Sequence, residues 1–211
     1  MRLEIWSDPV CPWCFIGKAR LERALESRPG HPFVISWQPY LLNPDMPREG
    51  MARDDYMALK FGDAEGILNA YRPVIEAAEE TGLALDLPAI THMPNTLDAQ
   101  RLVHWAGLEG RQNAIVTALF RAFFQQGRDI GDLATLTEIA ASTGMDRTMT
   151  ERLLASEADL DLIREGARAA RARGIQGVPC FILDGQYAIS GAQPVSLWQE
   201  VIDDLTRGGS A

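Results

Sequence analysis

Within its first fourteen residues the chain passes from an extended apolar segment, Leu3-Glu4-Ile5-Trp6-Ser7, into Cys11-Pro12-Trp13-Cys14. Leu3 and Ile5 alternate with Glu4, the period of a strand with one buried face. From Phe15 to Ser27, Leu21 and Leu25 stand at helical spacing among Lys18, Arg20, Glu22 and Arg23, and Arg28-Pro29-Gly30 stops the helix. Phe33-Val34-Ile35-Ser36-Trp37 is β-branched and aromatic and ends near Pro39, which predicts a second strand. Strand, helix and strand in this order imply a right-handed crossover between parallel neighbours. Two cysteines at the strand-to-helix junction are therefore at the heart of whatever this chain builds.

The pattern then changes. Helical segments are predicted over Asp54–Phe61, Gly66–Thr81, Thr96–Gly107, Gln112–Gln126, Leu133–Thr143, Thr148–Ala155 and Glu157–Arg173, with no convincing strand among them. Gly82, Pro88, Pro94, Gly127 and Gly144 punctuate them, and Asp132 and Asp146 read as N-caps. Strands return with Cys180–Leu183 and Gln186–Ile189, joined by Asp184-Gly185, the pair expected of a two-residue type I′ turn. A last helix over Pro194–Leu205 offers Val195, Leu197, Trp198, Val201, Ile202 and Leu205 for burial. The layout is an α/β fold interrupted by a large all-α insertion.

A chain of 211 residues with 46% apolar and 23% charged residues has enough material for a proper core. Its formal net charge of -9 disfavours nucleic acid and anionic membrane surfaces as partners, and no apolar run approaches a membrane span. The N-terminal residues enter a strand at once, without the basic start, apolar stretch and small-residue site of a secretory leader, so a cytoplasmic location is expected. Three cysteines in a reducing compartment speak against a structural disulfide framework.

Metal binding is the weaker reading of the cysteine pair. A structural zinc needs four ligands, and the lone Cys180 and the scattered His31, His92 and His104 have no ligand spacing. Redox exchange suits the junction better. A sulfur at a helix N-terminus meets free N–H groups and the positive end of the dipole, which favour a thiolate. Pro12 fits the first turn, where its missing N–H costs nothing. Cys11 is expected to be the exposed attacking sulfur, and Cys14, one turn further in, the resolving one. Trp13 is either a substrate-facing aromatic or packing.

Other residues read as structural. Along a strand, neighbours point to opposite faces, so Cys180 faces the core if Pro179 faces the site, with a third redox thiol as the alternative. Asp8 reads as a turn or cap residue, Glu4 as solvent-facing and Lys18 as solvated. Asn95 and Thr96 read as an N-cap, and His104 and Trp105 as packing. Trp105, Phe120, Phe123 and Phe124 are candidates for a homodimer face.

Together, "SDPVCPWC", the helical insertion, "PNTLDAQRLVHWA" from Pro94 and "GIQGVPCFILDGQYAISGAQP" resemble the DsbA-type thiol–disulfide oxidoreductases, and look closest to their FrnE-like cytosolic branch. The resemblance covers essentially the whole chain. It implies a thioredoxin-like domain formed by residues 1–48 and 174–211, with residues 49–173 inserted as helices. It implies Cys11 as nucleophile, Cys14 as resolving thiol, and Pro179 as a cis-proline whose neighbour Val178 pairs with an extended substrate strand, so that Pro12, Trp13, Val178 and Pro179 form the substrate-binding set. No bound cofactor or metal is implied: the redox-active disulfide carries the electrons, protein or peptide thiols and disulfides are the partners, and glutathione is a candidate co-substrate. The chain departs from the best-known DsbA motif in having Trp13 where that motif has histidine, so the low thiol pKa of DsbA does not carry over. Glutathione-dependent isomerases and kappa-class transferases share the layout, with serine usually at the reactive position, and form the alternative. A chaperone-like polypeptide binder is the second alternative.

Overall fold

The computed structural model describes residues 1–208; residues 209–211, assigned above to the end of the thioredoxin-like domain, lie outside the described residues. Strand β1 (Arg2–Ser7) leads into helix α1 (Pro12–Glu26), which returns to β2 (Val34–Pro39). The excursion that follows contains α2 (Arg53–Phe61), α3 (Ala64–Glu80), α4 (Leu97–Leu108), α5 (Gln112–Gln126), α6 (Leu133–Ser142), α7 (Arg147–Leu154) and α8 (Leu160–Ala172). It also contains a short antiparallel pair, β3 (Met51–Ala52) with β4 (His92–Met93), where no strand is expected from the sequence. Two residues per strand are too few to show a period, which is why pattern alone misses them. The chain closes with β5 (Cys180–Leu183), β6 (Tyr187–Ser190) and α9 (Val195–Gly208).

The main sheet has the order β2-β1-β5-β6. β1 runs parallel to β2, with Leu3 opposite Ile35 and Ile5 opposite Trp37, as the strand–helix–strand pattern requires. β5 pairs antiparallel with β1, which sets Ile5 against Phe181 and Trp6 against Cys180. The alternation of β1 is read out on two faces. Leu3 and Ile5 join a core with Phe181, Leu183 and Trp198, whereas Trp6 joins Cys180, Tyr40, Ala170 and Ile175 on the other side. In the β5–β6 turn, Asp184 and Gly185 both take positive φ, 45° and 73°, as a type I′ turn demands. The register nevertheless sets Leu183 opposite Tyr187, so three residues intervene rather than two.

Helix α1 begins at Pro12, three residues before the periodic apolar pattern, because a proline at N1 starts the helix ahead of any amphipathic repeat. Asp132 and Asp146 cap α6 and α7 through side-chain bonds to Thr135 N and Met149 N, as expected. At α4 the bonds are divided differently: Asn95 accepts from Leu97 N, while the Thr96 hydroxyl turns away to Asp8.

Helices and sheet share one core. Phe120 and Phe124 of α5 stack on Phe15 of α1 with centroids 5.1 and 5.8 Å apart, and Phe123 meets Phe124 edge-on at 4.9 Å. These rings and Trp105 are buried within the chain, so the dimer face suggested for them is not there: their apolar area is already used to seat the helical excursion on α1. Arg101, 0% exposed, holds the α7–α8 connection. Its guanidinium donates to Asp98 Oδ1 and to the carbonyls of Leu153, Leu154, Ser156 and Ala158, and lies over the Trp105 ring. Trp105 in turn donates through Nε1 to Asp159, a packing role. Among the described residues no helix is long and apolar enough to cross a membrane.

Candidate active site

The last residues of β1 and the first turn of α1 build the site. Asp8 O accepts from Cys11 N at 2.9 Å, closing the turn that ends the strand, and Cys11 O accepts from Cys14 N and Phe15 N. Cys11 is the N-cap of α1, in extended conformation, with Pro12 next to it at the helix start. Across the site, the Val178–Pro179 peptide is cis, and the Cys11 thiol points at Val178 O, 3.5 Å away. Gly17 makes this approach close: a Cβ there would stand 3.0 Å from Pro179 Cγ.

The expected exposed first sulfur is not found. Cys11 is 4% exposed and Cys14 1%, because both belong to the main core, with Val178 against the Cys11 sulfur. Their relative order holds, the second being the deeper. Burial pushes the Cys14 thiol well above its ordinary range, with the Cys11 sulfur adding to the effect; bonds from the Ser7 hydroxyl and Asp8 N–H oppose it. Cys11, Cys14 and Cys180 are all free thiols in this structure.

Asp8 does more than the turn role expected of it. Its Oδ1 accepts from Val10 N at 3.2 Å, which is the turn, while Oδ2 reaches Leu42 N at 2.8 Å and Thr96 Oγ1 at 3.3 Å. One buried carboxyl thus ties the cysteine-bearing turn to the exit of β2 and to the start of α4. Burial raises its pKa from 3.8 to about 6, against the pull of those bonds and of the more distant Lys60. The signal in the sequence was an acid three residues before Cys11, followed by Pro9 and Val10; a turn residue and a buried anchor look alike there.

Lys18 overturns its expected solvation. It is 2% exposed and ion-paired with Glu22, which also accepts from Asn113 of α5. The position lies on the face of α1 that α5 covers, a fact invisible in local spacing. Desolvation lowers the Lys18 pKa, with Glu22 opposing. Glu4, expected to face solvent, is largely covered and pairs with Arg2.

Trp13, Val178 and Pro179 line one groove of about 710 Å³, whose wall continues through Arg173 to Gly177 and whose floor is the β5–β6 face, Cys180 with Ser190 and Ile182 with Ala188. Pro12 is at the helix start and is not part of that wall. Cys180 is buried against Trp6 and Tyr40, apart from the core that holds the cysteine pair, but it also shares the groove lining with Pro179; burial raises its thiol pKa and the Ser190 hydroxyl opposes this. Among the described residues no group of three or more His, Cys, Asp or Glu is placed to hold a metal.

The arrangement can perform two-electron sulfur exchange: an end-of-helix sulfur beside a second sulfur one turn on, next to a backbone segment and a groove able to hold a chain. Comparison with known proteins agrees with the fold. A probable DsbA oxidoreductase from Streptomyces coelicolor is 31% identical with a TM-score of 0.87, over 100% of this chain and 91% of that one. A 2-hydroxychromene-2-carboxylate isomerase is 18% identical with a TM-score of 0.73, over 100% and 98%. The cytosolic disulfide reductase DsbM from Pseudomonas aeruginosa, solved with GSH, is 18% identical with a TM-score of 0.70, over 98% and 100%. The sequence pattern of the DSBA-like thioredoxin domain matches residues 2–203, and the chain belongs to that family.

Proposed function

We propose that the protein is a cytoplasmic thiol–disulfide oxidoreductase acting on protein or peptide substrates through Cys11 and Cys14. The observation that carries this reading is the pairing of an N-cap sulfur, Cys11, with a deeper sulfur one turn on, Cys14, beneath the Val178–Pro179 segment. Cys11, deprotonated, attacks one sulfur of a substrate disulfide; a mixed disulfide forms and the other substrate sulfur leaves as a thiolate. Cys14 gives up its proton and attacks Cys11 Sγ, releasing the second substrate thiolate and leaving a Cys11–Cys14 disulfide. Two electrons pass to the substrate, and the reverse sequence oxidises a dithiol. The Cys14 thiol, held up by burial, resolves the intermediate only after the Cys11 sulfur is engaged. Trp13, Val178 and Pro179 hold the substrate chain and Pro12 sets the helix start. Glutathione, present with the DsbM neighbour, is the proposed recycling thiol.

The test is reduction of insulin and oxidation of a reduced model protein by wild type, Cys11→Ser and Cys14→Ser. Loss in Cys11→Ser, with a mixed disulfide accumulating in Cys14→Ser, supports exchange. Isomerase or transferase turnover with glutathione would replace this reading with the second one that the isomerase likeness favours. Suppression of aggregation unchanged when both cysteines become serine would mark a polypeptide binder. The reduction potential of the pair sets the direction, about 30 mV corresponding to about 1.4 kcal/mol.

A further inference from the structure

The groove beside the site carries one charged side chain. Arg173, at the end of α8, lines it together with Ile175, Val178, Ile182 and Ala188, and among the described residues it has no carboxylate partner. Its guanidinium lies over the Trp6 ring, 5.9 Å from the centroid. Trp6 is paired with Cys180, the first residue of β5, and Val178, whose carbonyl receives the Cys11 thiol, lines the same groove as Arg173. A chain lying in the groove with its cysteine at Cys11 runs past the guanidinium, because Arg173 and Val178 line that one groove. In a protein of net charge -9, an exposed unpaired cation in an otherwise uncharged groove is a local reversal of sign.

Resting on the exchange reading above, we infer that Arg173 determines specificity, giving this groove a preference for polypeptides with an aspartate or glutamate one or two residues from the reacting cysteine. The floor suits such an occupant: the cross-strand pairs Cys180 with Ser190 and Ile182 with Ala188 line it and carry no charge.

The test uses three disulfide-linked peptides alike except for Asp, Asn or Lys next to the cysteine. At low salt the wild type reduces the Asp peptide about three-fold faster in kcat/KM than the Asn peptide, and the Lys peptide about three-fold slower. The spread narrows at high salt, and Arg173→Glu reverses the order. Equal rates for the three, an order unchanged in Arg173→Glu, or a charge dependence seen with glutathione disulfide and not with the peptides would overturn the inference. Calorimetric binding of S-methylated forms of the same peptides separates the two readings. An acidic preference in binding that Arg173→Glu removes, without turnover of any peptide, keeps the site and removes the exchange chemistry. Turnover without charge preference keeps the chemistry and removes the role of Arg173.

Discussion

The Cys11 thiol points at the carbonyl oxygen of Val178 across 3.5 Å, although 167 residues of chain separate them. The contact joins the first strand–helix junction to the return of the chain after its helical excursion, and it covers the sulfur that the proposed exchange needs. Access to Cys11 is therefore restricted, with Val178 against the sulfur, rather than open.

Alkylation should follow that burial. With iodoacetamide at pH 7.5, Cys11, 4% exposed, reacts more slowly than a thiol in an unfolded peptide, and Cys14 more slowly still, since it is the deeper sulfur and burial raises its thiol pKa, leaving less thiolate. Peptide mapping by mass spectrometry reads the order; Cys14 reacting first would overturn the assignment of roles.

Asp8 should make stability depend on pH in the opposite sense to a salt-bridged acid. Its folded pKa, about 6, lies above the ordinary 3.8, so between these values the folded state holds more protons than the unfolded one. Its contribution is greatest below about pH 4 and falls as pH rises through 6, by up to about 3 kcal/mol. Asp8→Asn, which cannot ionise, loses stability at pH 4 and loses less relative to wild type at pH 7.5. Urea unfolding at the two pH values measures the difference; a gap that widens with pH contradicts the burial of this carboxyl.

Lys18→Met should be nearly neutral at pH 7, within about 1 kcal/mol, because an apolar chain of similar length replaces a desolvated ammonium and Glu22 retains Asn113 and partial solvent. Because the Lys18 pKa is lowered by folding, its cost shrinks as pH rises toward 10.5, so any advantage of the methionine fades there. Thermal unfolding of both proteins at pH 7 and 9.5 checks the sign.

Arg101→Ala should be severe. It leaves Asp98 Oδ1, the buried Leu154 carbonyl and three partly buried carbonyls without their donor, a loss of about 3–5 kcal/mol. Denaturant unfolding measures it, and a change under about 1 kcal/mol would mean that the α7–α8 connection stands without the guanidinium.

Phe120→Ala probes the joint between the helical excursion and α1. Removing a fully buried ring stacked on Phe15 costs about 3–5 kcal/mol and loosens the far side of the helix that carries the cysteines. Faster hydrogen exchange in α1 and α5 than in β1 and β5 would locate the effect.

The strand–helix–strand start, the helical stretch after it, the closing hairpin and the identity of the cysteine pair were legible in residue order. Each rests on a local period or a short-range rule: alternation in Leu3–Ile5, helical spacing in α5, positive φ at Asp184-Gly185, proline at a helix start. What was misread was of one kind. Lys18 looks solvated in its own helix and is covered by α5; Asp8 looks like a turn residue and is also a long-range acceptor; Phe120, Phe123 and Phe124 look like an unpaired face and are the core. The β3–β4 pair is too short to carry a period.

The sequence by itself determined that this is an α/β chain with an inserted helical block and two cysteines poised at a helix start, because those features depend on bonds and spacings within a few residues. Only the tertiary structure decided how deeply the sulfurs lie, that Val178 meets Cys11, and that Arg173 stands over Trp6 beside the groove. Burial, ionisation and access depend on which distant segments cover a side chain, and that covering is a property of the packed molecule, not of neighbours along the chain.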